Sequence, residues 1–338
     1  MRSLFCCLAA LLCAFAHAAT GLTELAGLEG DGPVTVFYPS SGENKPVKRG
    51  PFELVVAEKA DPVRGNRRLV VISHGSGGSP WVHAALAGVL VDAGFVVAMP
   101  EHRGDNFKDP GSPGPTSWKR RPAEVSRAID TVARDARLAP LLQLDKVGMY
   151  GMSAGGHTAL SLAGGRWSLA SFRRHCEAHI ADDFPACVGL ATQLRGDWLD
   201  SFKIWTALTV LGTRFHDATW QTYSDKRVQA IVAGVPYASD FDMTSLSAPR
   251  MPVGVVNMGK DKWLAPRFHG EAVLKACPSC VAVANLPGGG HGALLSPFPP
   301  RLPDAAAELL NDPPGFDRAL LADVDRRIAA FFRQHLLP

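Results

Sequence analysis

Short, unbroken apolar runs alternate along this chain with longer segments in which apolar residues recur every three or four positions. The runs lie in the segments 68–73, 95–99, 146–150, 230–233, 252–257 and 281–285. Their length and β-branched content predict strands buried on both faces, as in a parallel sheet. Helical spacing falls between them. The segment 81–93 aligns Val82, Leu86, Val89 and Leu90 and stops at Gly94, and 122–138 aligns Val125, Ile129 and Val132. Further helices are expected from Ser153, near 267–276 and over 317–335. Val34-Thr35-Val36-Phe37-Tyr38 alternates instead, and the turn-rich 40–50 reads as a hairpin connection, so antiparallel pairing is expected at one edge. Strands alternating with helices define an α/β class with a mostly parallel sheet covered on both faces.

Two segments break this rhythm. Residues 165–223 hold Trp167, Trp198, Trp205 and Trp220 and read as a helical cap inserted above the sheet; 296–315 is Pro-rich and follows the last strand. The remaining pattern is continuous, so one domain is expected over 19–338 of the 338 residues. Hydrophobic residues at 46% allow a substantial core, and a net charge of +3 spread along the chain argues against a nucleic-acid partner. The first residues are different in kind. Met1-Arg2 is followed by an apolar stretch to Phe15 and by Ala16-His17-Ala18, the pattern of a secretory signal cleaved after Ala18. The apolar stretch is about 12 residues, whereas a membrane span needs roughly 20, so no stable anchor is expected after cleavage. Cys13 follows Leu12 and lacks the small residue that a lipid-modified cysteine wants before it. The chain is therefore expected to be exported, periplasmic or secreted. Cys176, Cys187, Cys277 and Cys280 remain, an even number that reads as disulfides in that setting. Three connectivities are open; proximity favours Cys176–Cys187 and Cys277–Cys280. Cys277-Pro278-Ser279-Cys280 has redox-motif spacing but precedes a strand, where a structural disulfide is the expected use.

The chemistry concentrates in three glycine-rich turns. Gly151-Met152-Ser153-Ala154-Gly155 lies between an apolar strand and the helix-forming Thr158-Ala159-Leu160-Ser161-Leu162, the setting of a nucleophile elbow that lifts the serine hydroxyl above a sheet. Ser73-His74-Gly75-Ser76-Gly77-Gly78 follows a buried strand. Acyl transfer needs backbone N–H groups aimed at the developing oxyanion; Ala154 and Ser76 are the expected donors, with Gly75 and Gly77 as alternatives to Ser76. His291, in Pro287-Gly288-Gly289-Gly290-His291-Gly292, is the expected base that takes the Ser153 proton. His74 is expected to orient its own loop and His157 to be structural.

These three motifs resemble the α/β-hydrolase superfamily. Pro33-Val34-Thr35-Val36-Phe37-Tyr38-Pro39 and Gly94-Phe95-Val96-Val97-Ala98-Met99-Pro100-Glu101-His102-Arg103 are similar to its dienelactone-hydrolase-like and platelet-activating-factor-acetylhydrolase-like branches. The resemblance implies an α/β-hydrolase fold with a mostly parallel central sheet, helices on both faces and a helical cap insertion. It also implies a Ser-His-acid triad. Asp261 follows a strand where the superfamily commonly places the acid; Asp240 and Asp242 are the alternatives on the branches that place it one strand earlier. True dienelactone hydrolases carry cysteine where this chain has Ser153, which shifts the expected chemistry toward carboxylic esters in general, lactones and short-acyl esters among them. The expected reaction is ester hydrolysis of a small-molecule substrate through an acyl-enzyme, with no cofactor. An amide or peptide hydrolase on the same residues, and a non-catalytic exported binding protein, are the alternatives. His175 and His179 share a helix face and could ligate zinc with Asp182 or Asp183, but the motif lacks H-E-x-x-H order and Cys176 is better placed to pair with Cys187. His102, Arg103, Asp105 and Asn106 follow the fourth βα strand position as a polar rim or loop-fixing ion pairs. Trp81 and Trp263 are placed to line a pocket.

Overall fold

The computed structural model describes residues 18–28 and 30–338, so all of the expected leader except Ala18 lies outside the described residues. Strands β1 (Ala19–Leu25), β2 (Val34–Ser40), β3 (Lys45–Arg49) and β4 (Phe52–Glu58) come first. The alternating part then runs β5 (Leu69–Ser73), α1 (Ala84–Asp92), β6 (Val96–Pro100), α2 (Pro115–Arg134), β7 (Val147–Met152) and α3 (Ala154–Leu162). After α4 (Leu169–His179), α5 (Phe184–Val188) and α6 (Asp200–Arg214) it resumes with β8 (Val228–Gly234), β9 (Val253–Met258), α7 (Gly270–Ala276) and β10 (Val281–Leu286), and closes with α8 (Asp304–Leu310) and α9 (Leu321–Leu336).

The sheet order is β10-β9-β8-β7-β5-β6-β2-β1-β4-β3. From β6 through β10 every neighbouring pair is parallel, and the β6–β2 and β2–β1 pairs are antiparallel. The expected mixed edge is therefore present. The segment 40–50 is more than a connection, because β3 lies inside it and pairs antiparallel with β4. Lys45-Pro46-Val47-Lys48-Arg49 gives no apolar run because it is the outermost strand, where charge and proline block further pairing.

Successive residues of β7 enter opposite layers. Val147 and Met149 pack with Val125, Ile129 and Val132 of α2, whereas Tyr150 and Met152 pack on the side of α1 and α9, which supply Leu86, Leu90, Ile328 and Phe332. At about 1.5–3 kcal/mol for each large apolar side chain buried, these two layers fix the sheet that carries the three glycine-rich turns. Helix α2 begins at Pro115 and runs through Pro122, which the sequence reading took as its start. A proline inside a helix loses one backbone hydrogen bond; here Trp118, Arg121 and Val125 bury on either side of it and hold the turn.

The segment 165–223 contains α4, α5 and α6 and is closed at its base by a bridge between Trp167 and Gln221. Cys176–Cys187 ties α4 to α5, and Cys277–Cys280 closes the turn from α7 into β10. Among the described residues no helix is long and apolar enough to cross a membrane. Closing a loop of this length in the unfolded chain is worth about 3 kcal/mol. Replacing Cys176 and Cys187 together by serine is expected to lower the unfolding free energy by about that amount, read as an earlier denaturant midpoint; an unchanged midpoint would show that the bond contributes nothing.

Candidate active site

The turn from β7 into α3 is shaped by close backbone approach. A Cβ on Gly151 would lie 1.9 Å from the Gly155 carbonyl oxygen, and one on Gly155 would lie 1.9 Å from that of Ser73. Neither position can hold another residue, which is the physical content of the G-x-S-x-G spacing. Ser153 between them sits at φ 57°, ψ −116°, a conformation costly for a residue with a side chain. Its amide donates to Gly234 O at 2.9 Å, and its carbonyl accepts from His157 N and Tyr237 N, so β8 and its following loop hold the strained turn in place.

Three predicted residues come together here. His291 Nε2 lies 2.9 Å from Ser153 Oγ, and His291 Nδ1 lies 2.7 Å from Asp261 Oδ2. A carboxylate only accepts, so Nδ1 carries the proton and Nε2 presents its lone pair to the Ser153 hydroxyl. The other Asp261 oxygen accepts from Trp263 N and Leu264 N, both at 2.8 Å, which fixes the carboxylate. Gly259 N donates to Leu286 O and Lys260 N to Gly289 O at 2.8 Å, so the two loops carrying Asp261 and His291 are stitched together. The other acid candidates are used elsewhere. Asp240 Oδ2 lies 3.1 Å from His157 Nε2, while Asp242 caps Thr244 and pairs with Arg166. His157 is fully buried and stacks on Trp118 at 4.9 Å.

Opposite Ser153, the loop after β5 is held from below by groups the sequence reading did not assign. Arg121, wholly buried on α2, donates to the carbonyls of His74 and Gly75 and to Asp105 Oδ2 at 2.8 Å. Asp105 Oδ1 in turn accepts from Ser76 Oγ and, at 3.0 Å, from Gly77 N. Burial pushes the Asp105 carboxyl up, but the Arg121 charge and the hydrogen bonds from Ser76, Ser117 and Gly77 outweigh it and leave it below its usual range. The Gly77 amide is thereby committed to Asp105. The Gly75 carbonyl faces Arg121 and also accepts from Gly78 N, and a trans peptide sets its N–H opposite its C=O. The Ser76 N–H therefore points away from Arg121 and donates to no protein group among the described residues. Ala154, first residue of α3, has no intrahelical acceptor for its amide. His74 Nε2 accepts from His102 N, so its Nδ1 donates to Gly75 O at 2.7 Å. Burial, His102 and Arg121 hold the His74 pKa well below its usual value, so the ring is neutral and orients its own loop.

A second Ser-His-acid chain lies beneath. Ser73 Oγ is 2.7 Å from His102 Nε2, and His102 Nδ1 is 2.5 Å from Glu124 Oε2. Ser73 and His102 are wholly buried, and burial pushes the Glu124 carboxyl up and, with Arg121, the His102 ring down. Both are driven toward their neutral forms, which suits a structural clamp. The visible sequence sign of this clamp was that Arg121 and Glu124 are spaced on the same helical face as the apolar Val125 and Ala128. His102 and Asp105 are thus loop-fixing, as one of the two expectations for that stretch had it; Arg103 lies exposed, its carbonyl accepting from Arg120.

Trp263 approaches the His291 ring at 5.3 Å, and Trp81 lies in the wall of a cleft that also contains Ser153. His175 is not beside a metal cluster: among the described residues no group of three or more His, Cys, Asp or Glu side chains is arranged for one. Its Nε2 lies 2.8 Å from Asp183, which also meets His269 Nε2 at 3.0 Å and Ala265 N at 3.1 Å. Asp183 thereby locks the inserted helices to the loop that follows Asp261.

No family model matches this sequence, and no curated protein does. Among solved structures it is similar to the ferulic acid esterase from Streptomyces cinnamoneus, at 17% identity over 96% of this chain and 91% of that one, with a TM-score of 0.58. That likeness shows the fold: this chain has an α/β-hydrolase fold.

Burial raises the Asp183 carboxyl, but hydrogen bonds from His175, His269 and Ala265 N more than offset it and bring the pKa down from 3.8 to about 2. A carboxylate whose pKa falls on folding stabilises the fold fully above its unfolded value and loses that contribution as pH drops through the folded one. Asp183→Asn is expected to cost about 2 kcal/mol at pH 7. The gap to wild type should narrow between pH 4 and pH 2, and a gap independent of pH in denaturation titrations would refute it.

Proposed function

We propose that the protein is a serine hydrolase of carboxylic esters, acting through Ser153, His291 and Asp261. The observation that carries this reading is the pair of hydrogen bonds, 2.9 Å and 2.7 Å, that join the three side chains in that order, with Ser153 and His291 lining a cleft. Ser153 Oγ attacks the ester carbonyl as His291 Nε2 takes its proton, and Asp261 stabilises the imidazolium. The oxyanion lies between the Ser76 and Ala154 amides, neither of which donates to a protein group among the described residues. As the C–O bond breaks, His291 returns the proton to the leaving alcohol. Water then gives its proton to His291, attacks the acyl-enzyme, and releases the acid while Ser153 recovers its hydrogen. No cofactor takes part in these steps.

The motifs at 33–39 and 94–103 support a place near the dienelactone-hydrolase-like and acetylhydrolase-like branches, with serine as nucleophile in place of cysteine; lactones and short-acyl esters belong to the same chemistry. The inserted helices act as a cap over the site. The leader pattern and two disulfides support work in an exported, oxidising setting.

The direct test is hydrolysis of 4-nitrophenyl esters by the purified protein. Ser153→Ala is expected to abolish turnover. Asp261→Asn should lower kcat by about 10^3–10^4, since the imidazole loses its oriented tautomer, and Asp240→Asn should retain far more. Full turnover by Asp261→Asn with loss in Asp240→Asn or Asp242→Asn would move the acid to the earlier strand.

A further inference from the structure

Two hollows meet at Ser153. One is a cleft of about 280 Å3 that includes His291 and the outer side of the 75–79 loop. The other is a chamber of about 240 Å3 that includes Ala154 and is roofed by the inserted segment through Pro185, Val188 and Phe215. Ser76, Ser153 and Trp263 belong to both walls, so the serine hydroxyl stands at the junction.

The chemistry of acyl transfer tells the two apart. In the tetrahedral intermediate the leaving oxygen must face the group that protonates it, and His291 belongs to the cleft alone. The acyl substituent must then point the other way, past Ala154, into the chamber. The chamber lining offers no side chain that is charged at neutral pH. Tyr237 is its one ionisable group, and burial, reinforced by the Asp240 charge, keeps the phenol protonated. Its walls are aromatic: Trp118 and Tyr237 face each other at 4.5 Å, and Phe172 meets Phe215 at 5.2 Å. Cys187 in the same wall is tied to Cys176, so the chamber is built on a cross-linked frame. The cleft is lined mainly by apolar side chains, among them Phe52, Trp81, Phe107, Leu295, Leu302 and Leu310, and Arg301 at its wall is its one Lys, Arg, Asp or Glu side chain among the described residues.

Resting on the ester-hydrolase reading above, we propose that the substrate is an ester with an uncharged, ring-bearing acyl group seated in the chamber and an apolar, ring-sized alcohol seated in the cleft. Attack by Ser153 forms the Oγ–acyl bond in the chamber and breaks the bond to the alcohol oxygen, which leaves through the cleft with the proton from His291. An apolar ring moved from water into either hollow is worth a tenfold or greater gain in kcat/KM.

The test uses four esters that pair acetyl or phenylacetyl with methanol or benzyl alcohol, followed by acid release. Wild type is expected to favour phenylacetyl over acetyl, and benzyl over methyl, at least tenfold each in kcat/KM. Val188→Trp, which fills the chamber, should reduce the acyl preference tenfold or more and leave the alcohol preference within twofold. Leu302→Trp, which fills the cleft, should do the reverse. A crossed result, with Val188→Trp erasing the alcohol preference, overturns the assignment of the two hollows. Should the variants not fold, wild type still decides. Phenylacetamide and benzyl alcohol are expected to inhibit together, with intersecting lines in a double-inhibition plot, and parallel lines would mean that they compete for one hollow and overturn the proposal. Ser153-dependent turnover of all four esters without ring preference defeats this proposal alone. No Ser153-dependent turnover of any ester defeats the hydrolase reading and this proposal with it.

Discussion

The end of the molecule that carries Ser153 depends on how closely the turn after β7 presses against the end of β5. Gly155 lies so near the Ser73 carbonyl that a single methyl group there would collide with it. That approach holds Ser153 in a strained backbone conformation and sets its hydroxyl beside the loop that begins at His74. Strain of this kind, of order 1–3 kcal/mol, persists only where the surroundings over-determine it. Here β8 supplies the restraint through the Gly234 carbonyl, and the parallel sheet supplies the rigidity.

The loop facing Ser153 is held by a different force. Arg121 and Asp105 are both removed from water, and losing either partner of such a pair costs about 3–5 kcal/mol because the other charge is stranded. Their geometry spends the Gly77 amide and turns the Gly75 carbonyl inward, which leaves the Ser76 amide outward-facing. Beneath them the Ser73–His102–Glu124 chain repeats the connectivity of Ser153–His291–Asp261. Full burial favours neutral groups there, whereas the upper chain opens on a cleft. The two chains therefore share connectivity but differ in access, because Ser153 and His291 line the cleft and Ser73 and His102 do not.

Much of the sheet was legible in the sequence, because strands buried on both faces write themselves as unbroken apolar runs. β5 to β10 were read within a residue or two. The outer strands β1, β3 and β4 were not, since an edge strand such as 45–49 carries charge and proline for its own protection and leaves no apolar signature. Ser153, His291 and Asp261 were legible as a set because each follows a strand in a glycine-rich or polar turn, although only the structure shows that Asp240 turns to His157 instead. Arg121 and Glu124 escaped because the helix was read from Pro122, which left Arg121 outside it and hid that the two charges share the buried face of Val125 and Ala128. The two hollows were beyond reach for a further reason: their walls are assembled from segments scattered between residues 50 and 310, and only folding brings these together.

The central claim is that Ser153 carries the acyl group. Acid-quenching the protein during turnover of a slowly deacylated ester, then mapping the adduct by peptide mass spectrometry, tests it directly. The acyl mass is expected on the peptide containing Ser153 and absent from the Ser153→Ala protein. An acyl group found instead on Ser73 or Ser76, or turnover of the ester with no covalent adduct under any quench, would contradict the account.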